Sequence, residues 1–351
     1  MAGGTGERFW PLSTPKRPKQ LLRLADKSRS LIEQARDRIV PLVGAQNVFV
    51  ATSRDLAKPI AAALDLPAAQ IFAEPLKRNT LGAVVWTAAS LLAQNDEDAS
   101  IAILTSDHAI GEPDHFRATV GAALDLVEDQ NALAIIGIPP SRPETGFGYI
   151  EVDKTKPHRI NDKATAFGIA GFREKPPLAD AEAYVRSGSF LWNSGMLFFR
   201  LQTLLAELKA ANPQAHELLN QIALALKESN PEAAIALFES LPSISFDYAL
   251  LEKTPNLFVL ESNFPWDDVG AWDALHRAGK PDSNQNVAQG RTLLLDSTDC
   301  VAYNDDDSLD LALIGVKDLV VVATKHGVLV CPRDQAQRVK EIVAMLNKRQ
   351  T

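Results

Sequence analysis

The chain has 351 residues, 46% of them hydrophobic, with 36 basic against 44 acidic side chains and a net charge of −8. That is enough apolar material for two domains or one large domain with an appendage, and the acidic balance argues against general affinity for nucleic acid or membrane. Cys300 and Cys331 make neither a zinc-type cluster nor a disulfide framework, no apolar run reaches membrane-spanning length, and no signal peptide precedes the first motif; the expectation is a soluble, cytoplasmic protein with reduced thiols.

The chain opens on "MAGGTGERFWPLSTPKRPKQ" (1–20). Glycines at 3, 4 and 6 remove side chains where backbone N–H groups can approach an anion closely. Arg8, Lys16, Arg17 and Lys19 add positive charge, and Pro11, Pro15 and Pro18 stiffen the exit. Together they predict a cradle for a polyphosphate. It is not a P-loop, because no Gly-Lys-Ser/Thr follows, and not a dinucleotide fingerprint, because the third glycine position holds Phe9.

Strand-like and helical patterns then alternate. "NVFVAT" (47–52) reads as a strand and "RDLAKPIAAAL" as a helix. "NTLGAVVWTAASLLAQ" (79–94) is a strong helix with Asn79 or Thr80 placed to cap it. "IAILTSDH" (101–108) is a buried strand with a polar end, "FRATVGAALDLVED" a helix, and "ALAIIGI" another buried strand. The rhythm predicts an α/β fold, a Rossmann-like, mostly parallel sheet with helices on both faces and ligands beyond the carboxyl ends of the strands. "FGIAGFREKP" (167–176) and "FLWNSGMLFFR" (190–200) read as strands flanking a helix at about 179–187, and helices fill roughly 201–253. After "PDSNQNVAQG" (281–290), a polar linker, come "RTLLLDS", "DCVAYN", "LALIGV", "DLVVVAT" and "GVLVCP", and then a helix, "AQRVKEIVAML". Strands at this turn-like spacing predict a stacked, β-helix-like coil. The expected division is 1–280 and 281–351.

Several polar residues stand where chemistry can use them. Asp107 ends an apolar strand, Glu174 and Lys175 adjoin at a strand end, and Asn193 sits inside an apolar strand, where an unpaired amide is costly. Tyr149, Trp192 and Trp272 read as core aromatics, and His108 as a loop histidine able to orient Asp107. No Ser-His-Asp set, cysteine nucleophile or zinc spacing occurs.

The ordered string G-G-x-G-x-R-x-W-P-L…P-K-Q resembles the signature loop of the sugar-phosphate nucleotidyltransferase family. Trp10-Pro11-Leu12-Ser13 points to its mannose-1-phosphate guanylyltransferase branch. The resemblance continues in order through "EPLKRNT" (74–80), "TSDHAI" (105–110), "GIPPSRPETGFGYIE" (137–151), "FREKP" (172–176), "WNSGMLFF" (192–199), "SFDYALLEK" (245–253) and "WDDVGAW" (266–272). It implies GTP and mannose 1-phosphate as substrates and Mg²⁺ as cofactor. No long isomerase-like extension follows the β tail, so a single activity is expected. The resemblance also implies residue roles. Asp107 and Asp268 are the metal ligands, with Asp268 ahead of Asp267. Gly3, Gly4, Thr5, Gly6, Arg8, Lys19, Arg78, Asn79, Thr80 and Ser106 bind nucleotide. Glu144, Thr145, Gly146, Gly148, Glu174, Lys175 and Asn193 bind the sugar phosphate, and Arg8, Lys19, Asp107, Lys175 and Asp268 carry catalysis.

Alternatives stay open: another manno-configured 1-phosphate such as a heptose, and a non-catalytic nucleotide-sugar-binding regulatory subunit. Retention of all five charged residues favours an enzyme. Two departures stand out. Leu81-Gly82 replaces the family's Ala-Pro, placing a glycine inside a helix at a cost of about 1 kcal/mol. Only Met1 and Ala2 precede Gly3 where the family has a short apolar strand, and the expectation is that the natural chain begins upstream. The tail is expected either to pack on the catalytic region or to join two copies in a homodimer.

Overall fold

The computed structural model describes the chain apart from Thr5, Ala25, Lys27, Asn95, Asp162, Lys163 and Thr351, and gives only the backbone of Lys156 and Gln350. Helix α1 (Leu31–Val43) begins on a capping box, in which Ser30 Oγ accepts from the Glu33 N–H and the Glu33 carboxylate accepts from the Ser30 N–H. Strands β1 (Val50–Ser53) and β2 (Ile71–Glu74) pair in parallel through α2 (Arg54–Leu64). Helix α3 (Asn79–Ala93) follows, apolar nearly all round and correspondingly buried. Next come β3 (Ser100–Ile103), β4 (Ala109–Ile110), α4 (Pro113–Gln130) and β5 (Leu133–Ile138).

The middle of the chain supplies β6 (Gly148–Arg159), β7 (Thr165–Glu174), α5 (Leu178–Ser187), β8 (Phe190–Arg200), α6 (Leu201–Ala211), α7 (Pro213–Lys227) and α8 (Pro231–Glu239). A π-helical turn (Asp247–Leu251) leads to β9 (Leu257–Glu261), β10 (Trp266–Asp267) and α9 (Ala274–Ala278). Six strands form one sheet in the order β3-β8-β5-β9-β7-β6. Helices cover both faces, as expected: residues of α3, α6 and α7 pack on one, residues of α4 and α5 on the other. The sheet is less parallel than the rhythm implies. Within it β5–β9 is parallel, whereas β8 runs antiparallel between β3 and β5. Alternation of strands and helices reports connectivity and leaves strand direction open. The sequence also misses β6, whose charged, proline-bearing stretch and two register shifts blur any alternation.

The β1–β2 pair is not hydrogen-bonded to this sheet as a ladder. Met1 and Ala2 bridge the two. The Ala2 N–H donates to Ala51 O (2.8 Å), the Met1 ammonium to Leu104 O (2.6 Å), and the Ser106 N–H to Met1 O (3.3 Å). Alongside runs a cavity of about 540 Å³ lined by Ile39, Val48, Ala51, Phe72, Leu91 and Ile101 among others.

Strands β11 (Val287–Gln289), β12 (Thr292–Leu295), β13 (Val301–Asn304), β14 (Leu311–Ile314), β15 (Leu319–Thr324) and β16 (Gly327–Pro332) precede α10 (Val339–Gln350). β11, β13 and β15 stack in parallel as one column, β12 and β14 as a second, and β16 folds back on β15. This is the stacked coil that the spacing predicts, except that β11 lies within the stretch read as linker. The tail packs on the back of the opening loop: Phe9, Leu12, Leu22 and Trp272 share one cluster with Val301, Tyr303, Val320, Val322 and Leu329. Among the described residues no helix is long and apolar enough to cross a membrane.

Candidate active site

The opening loop is built around Gly6. Its φ of 66° is left-handed, and a Cβ there would stand 2.6 Å from Lys19 Cβ, so only glycine lets the loop close over Lys19. Lys19 is 8% exposed. Its ammonium donates to Asp107 Oδ2 at 2.9 Å and to the Asp268 carbonyl at 2.6 Å. Asp107 follows β3 and Asp268 follows β10. The two segments meet because β4 and β10 pair, Trp266 opposite Ile110 and Asp267 opposite Ala109.

The carboxylates of this corner differ sharply. Burial pushes Asp107 upward, but Lys19 and His108 outweigh it and hold its pKa below the ordinary aspartate value. Asp268 makes no side-chain hydrogen bond among the described residues. Burial raises its pKa to about 6, Lys19 offsets only part of that, and the Asp267 and Glu144 carboxylates push the same way as burial. Asp267 is fully engaged, accepting from the Val269 N–H (2.8 Å) and from Arg277 Nε (2.8 Å). Of the adjacent pair, Asp267 is therefore the structural residue and Asp268 the free one.

His108 lies behind Asp107. The Trp266 indole N–H and the Thr105 hydroxyl both reach its Nδ1, at 3.1 and 2.7 Å. Because an indole can only donate, Nδ1 is the acceptor and Nε2 carries the proton, 3.9 Å from Asp107 Oδ1. Burial lowers the imidazole pKa to about 4, so it is neutral at physiological pH.

A second group gathers around β6–β8. Gly148 pairs with Glu174, and a Cβ on Gly148 would stand 2.7 Å from Glu174 Oε2, so the glycine lets that carboxylate lie across the strand. Lys175, at φ 45°, turns back to ion-pair with Glu174. Asn193 Nδ2 donates to Asp247 Oδ1 (2.7 Å), while Asn193 Oδ1 accepts from the Gly195 N–H (3.0 Å). The asparagine is thus paired, and Asp247 is a residue the sequence reading missed. It begins the π-helical turn, and burial together with the nearby Glu174 raises its pKa. Glu144 accepts from Arg142 Nε (3.3 Å) and, by Oε1, from the Gly146 N–H (3.3 Å); Thr145 and Gly146 are exposed.

The predicted nucleotide residues are placed unevenly. A Cβ on Gly3 or Gly4 would meet nothing within 4 Å, so their backbone is open to an approaching ligand. Arg8 is exposed and makes no hydrogen bond or ion pair among the described residues. Thr5 lies outside the described residues. Arg78 Nη2 donates to the Glu239 carbonyl (2.6 Å), and its Nε is buried without a partner. Neither Asn79 nor Thr80 caps α3 as expected. Arg78 holds the N-cap position with no side-chain cap bond, Asn79 Oδ1 accepts from the next N–H at φ 56°, and Thr80 Oγ1 accepts from the Phe246 N–H (2.8 Å). The Ser106 hydroxyl donates to Met1 O (2.8 Å), so Thr80 and Ser106 tie segments together.

Among the described residues no three His, Cys, Asp or Glu side chains form a metal cage. Asp107 and the unpaired Asp268 lie on two segments that Lys19 ties together, and carboxylate oxygens are the donors a hard divalent ion prefers, with phosphate and water oxygens completing its shell.

Comparison with known proteins agrees with this geometry. The family described as Nucleotidyl transferase matches residues 1–285, and the MannoseP isomerase/GMP-like beta-helix domain matches residues 290–346. Mannose-1-phosphate guanylyltransferases of Klebsiella pneumoniae and Salmonella montevideo are each 35% identical, over 100% and 98% of this chain and 74% and 72% of their own lengths. A Thermus thermophilus crystal structure described as mannose-1-phosphate geranyltransferase superposes with a TM-score of 0.84 at 34% identity, covering 99% of this chain and 98% of that one. The chain therefore belongs to the nucleotidyl transferase family, within the group of mannose-1-phosphate guanylyltransferases that carry this β-helix domain.

Proposed function

We propose that the protein transfers a guanylyl group from GTP to mannose 1-phosphate, giving GDP-mannose and diphosphate. The observation that carries this reading is the convergence of the opening loop's Lys19 on two acidic segments, Asp107 and Asp268, beside an unobstructed glycine backbone.

The reaction needs no protein nucleophile. A phosphate oxygen of the sugar substrate attacks the α-phosphorus of GTP as the bond to the β-phosphate's bridging oxygen breaks. Both reactants are anions, so rate comes from neutralising charge and fixing an in-line geometry. In this reading Gly3, Gly4 and Gly6 present backbone N–H groups to the triphosphate, and the unpaired guanidinium of Arg8 takes the leaving diphosphate in a bidentate grip. Lys19 stands between the nucleotide and the acidic pair. Asp107 and Asp268 would hold a divalent cation, which when bound supplies neutralisation of the phosphate oxygens. Neutral His108 packs behind Asp107 without competing for a proton. Lys175 takes the sugar phosphate and Glu174 a sugar hydroxyl. Asn193, with one amide hydrogen unpaired among the described residues, and Asp247 extend that polar wall. The natural division of labour is a catalytic domain to about residue 280 and a supporting coil from 281.

The test is diphosphate release from GTP and mannose 1-phosphate, with and without Mg²⁺. Turnover that needs both substrates and the metal is expected. An unchanged rate when mannose 1-phosphate is replaced by other sugar 1-phosphates would overturn the assignment.

A further inference from the structure

Asn193 is held more firmly than its own strand requires. Beside it β8 bulges: Asn193 lies opposite Gly137 and Leu197 opposite Ile135, so four steps on β8 match two on β5. Gly195, at φ 70°, makes the extra turn, and the Ser194 hydroxyl donates to Ile136 O (2.6 Å) across it. A bulge of this kind re-aims a side chain. Here it brings the Gly195 N–H onto Asn193 Oδ1 (3.0 Å). A Cβ on Gly195 would stand 3.6 Å from Thr105 Cγ2, in the segment that carries Asp107.

The other end of the amide meets Asp247 at 2.7 Å. Asp247 opens the π-helical turn, a form of backbone frequent at functional sites. That turn is fixed by the start of α3: the Phe246 N–H donates to Thr80 Oγ1 (2.8 Å) and the Leu81 N–H to Ile244 O (3.3 Å). From its other side the turn is anchored by Ala249, Leu250 and Leu251, all buried. The place of the Asp247 carboxylate is therefore set by packing remote from Asn193.

The two partners of Asn193 are chemically complementary. A backbone N–H can only donate, and an ionised carboxylate can only accept. Between them the amide has one orientation, Oδ1 to Gly195 and Nδ2 to Asp247. Nδ2 carries two hydrogens, and the second has no acceptor among the described residues. Burial and the charge of Glu174 both disfavour the ionised Asp247. An acid retained against both, beside the Glu174 assigned to the sugar, is placed for function rather than for stability.

We infer that Asp247 is a positioning residue: it takes one Asn193 amide hydrogen so that the other is presented, in a fixed direction, to an oxygen of the sugar-phosphate substrate. The inference rests on the proposed use of a sugar 1-phosphate and adds the residue that aims its Asn193 contact. An amide already held at both ends loses no rotational freedom when the substrate arrives, so the contact is pre-organised.

The test is diphosphate-release kinetics on three variants. Asp247→Leu keeps the size of the side chain and removes the acceptor. KM for mannose 1-phosphate should rise roughly 10-fold, the scale of one misdirected hydrogen bond, while KM for GTP holds. Asp247→Asn, whose carbonyl can still accept, should stay within about 3-fold of the unmodified chain. The swapped pair, Asn193→Asp with Asp247→Asn, keeps a hydrogen bond between the two side chains but leaves no amide hydrogen at 193. Its KM for mannose 1-phosphate should remain as high as that of Asp247→Leu. Recovery in the swapped pair, an Asp247→Asn as impaired as Asp247→Leu, or an Asp247→Leu that raises both KM values alike would each overturn the inference. Should Asp247→Leu not fold, the swapped pair, which retains the bond, decides.

NMR of protein carrying isotope-labelled asparagine reads the hold on Asn193 without substrate. One Asn193 amide hydrogen should be shifted downfield by the carboxylate, and Asp247→Leu or Asp247→Asn should abolish the shift. Equivalent, averaged amide signals in the unmodified chain overturn the inference. If the shift is present but mannose 1-phosphate is not turned over, the reaction assignment fails while the hold of Asp247 on Asn193 stands.

Discussion

Adjacent aspartates here have opposite characters, and mutation should expose this. Asp268 is buried, unpaired and raised in pKa, so its ionised form weighs against the folded state at neutral pH. Asp268→Asn is expected to raise Tm by a few degrees while cutting turnover at least 100-fold, as removal of a group placed for function rather than stability does. Asp267→Asn should do the reverse. It loosens Arg277 and the Val269 turn, at about 1–3 kcal/mol of stability for bonds to a charged group, and should spare more of the activity of whatever remains folded. Thermal melts beside diphosphate-release assays check both, and matching effects of the two variants would remove Asp268 from the metal assignment. Side-chain identity singled out Asp107, Asp268, Arg8 and Lys19 as candidates once the loop string was seen. Asp247 stood within a quoted motif but carried no residue-level signal, because a buried carboxylate is informative only when its partners are known.

At the level of elements, α3 shows local propensity overruled by packing. Glycine inside a helix normally costs about 1 kcal/mol against alanine, so Gly82→Ala would stabilise an isolated helix. Here a Cβ would stand 2.6 Å from Arg78 Cβ and 3.1 Å from Phe238 Cζ, with no flexible side-chain end to yield at the first. Gly82→Ala is therefore expected to destabilise by about 1–3 kcal/mol, the scale of overpacking. A chemical denaturation curve gives the sign, and a stabilised variant would refute the packing argument. Helices such as α2, α3 and α4 were readable because 3.6-residue periodicity is local, whereas α1 was not read. Strand β6 was not, since its bulges and charges break the two-residue alternation, and β8's direction depends on neighbours far away in the chain.

Across the whole molecule, the coil acts as the backing of the opening loop. Fully buried Phe9, Trp272 and Tyr303 share one cluster, the Trp272 indole donates to Trp10 O (2.9 Å), and Arg17 pairs with Asp305 (2.7 Å). Two regions that share a core should unfold together, so calorimetry is expected to show one transition; two separable transitions would mean the coil is merely tethered. Tyr303→Ala should cost about 3–5 kcal/mol, as truncation of a large buried aromatic does. It should also lower kcat, although Tyr303 lies outside the site, because the loop holding Lys19 loses its support.

By itself the sequence determined the chemistry on offer: a glycine-rich cationic loop, strand-end acids, an amphipathic or buried helix wherever periodicity was clean, and a tail of short stacked strands. Such features are encoded within a few neighbouring residues, in steric freedom, charge and hydrophobic period. Tertiary structure alone decided which acidic segments meet at Lys19. Asp107 and Asp268 lie 88 and 249 residues from Lys19 and converge on it only through pairing of β4 with β10. The same long-range packing set the tail behind the loop and brought Asn193 to Asp247, because desolvation and contact belong to the folded chain and to no segment of it.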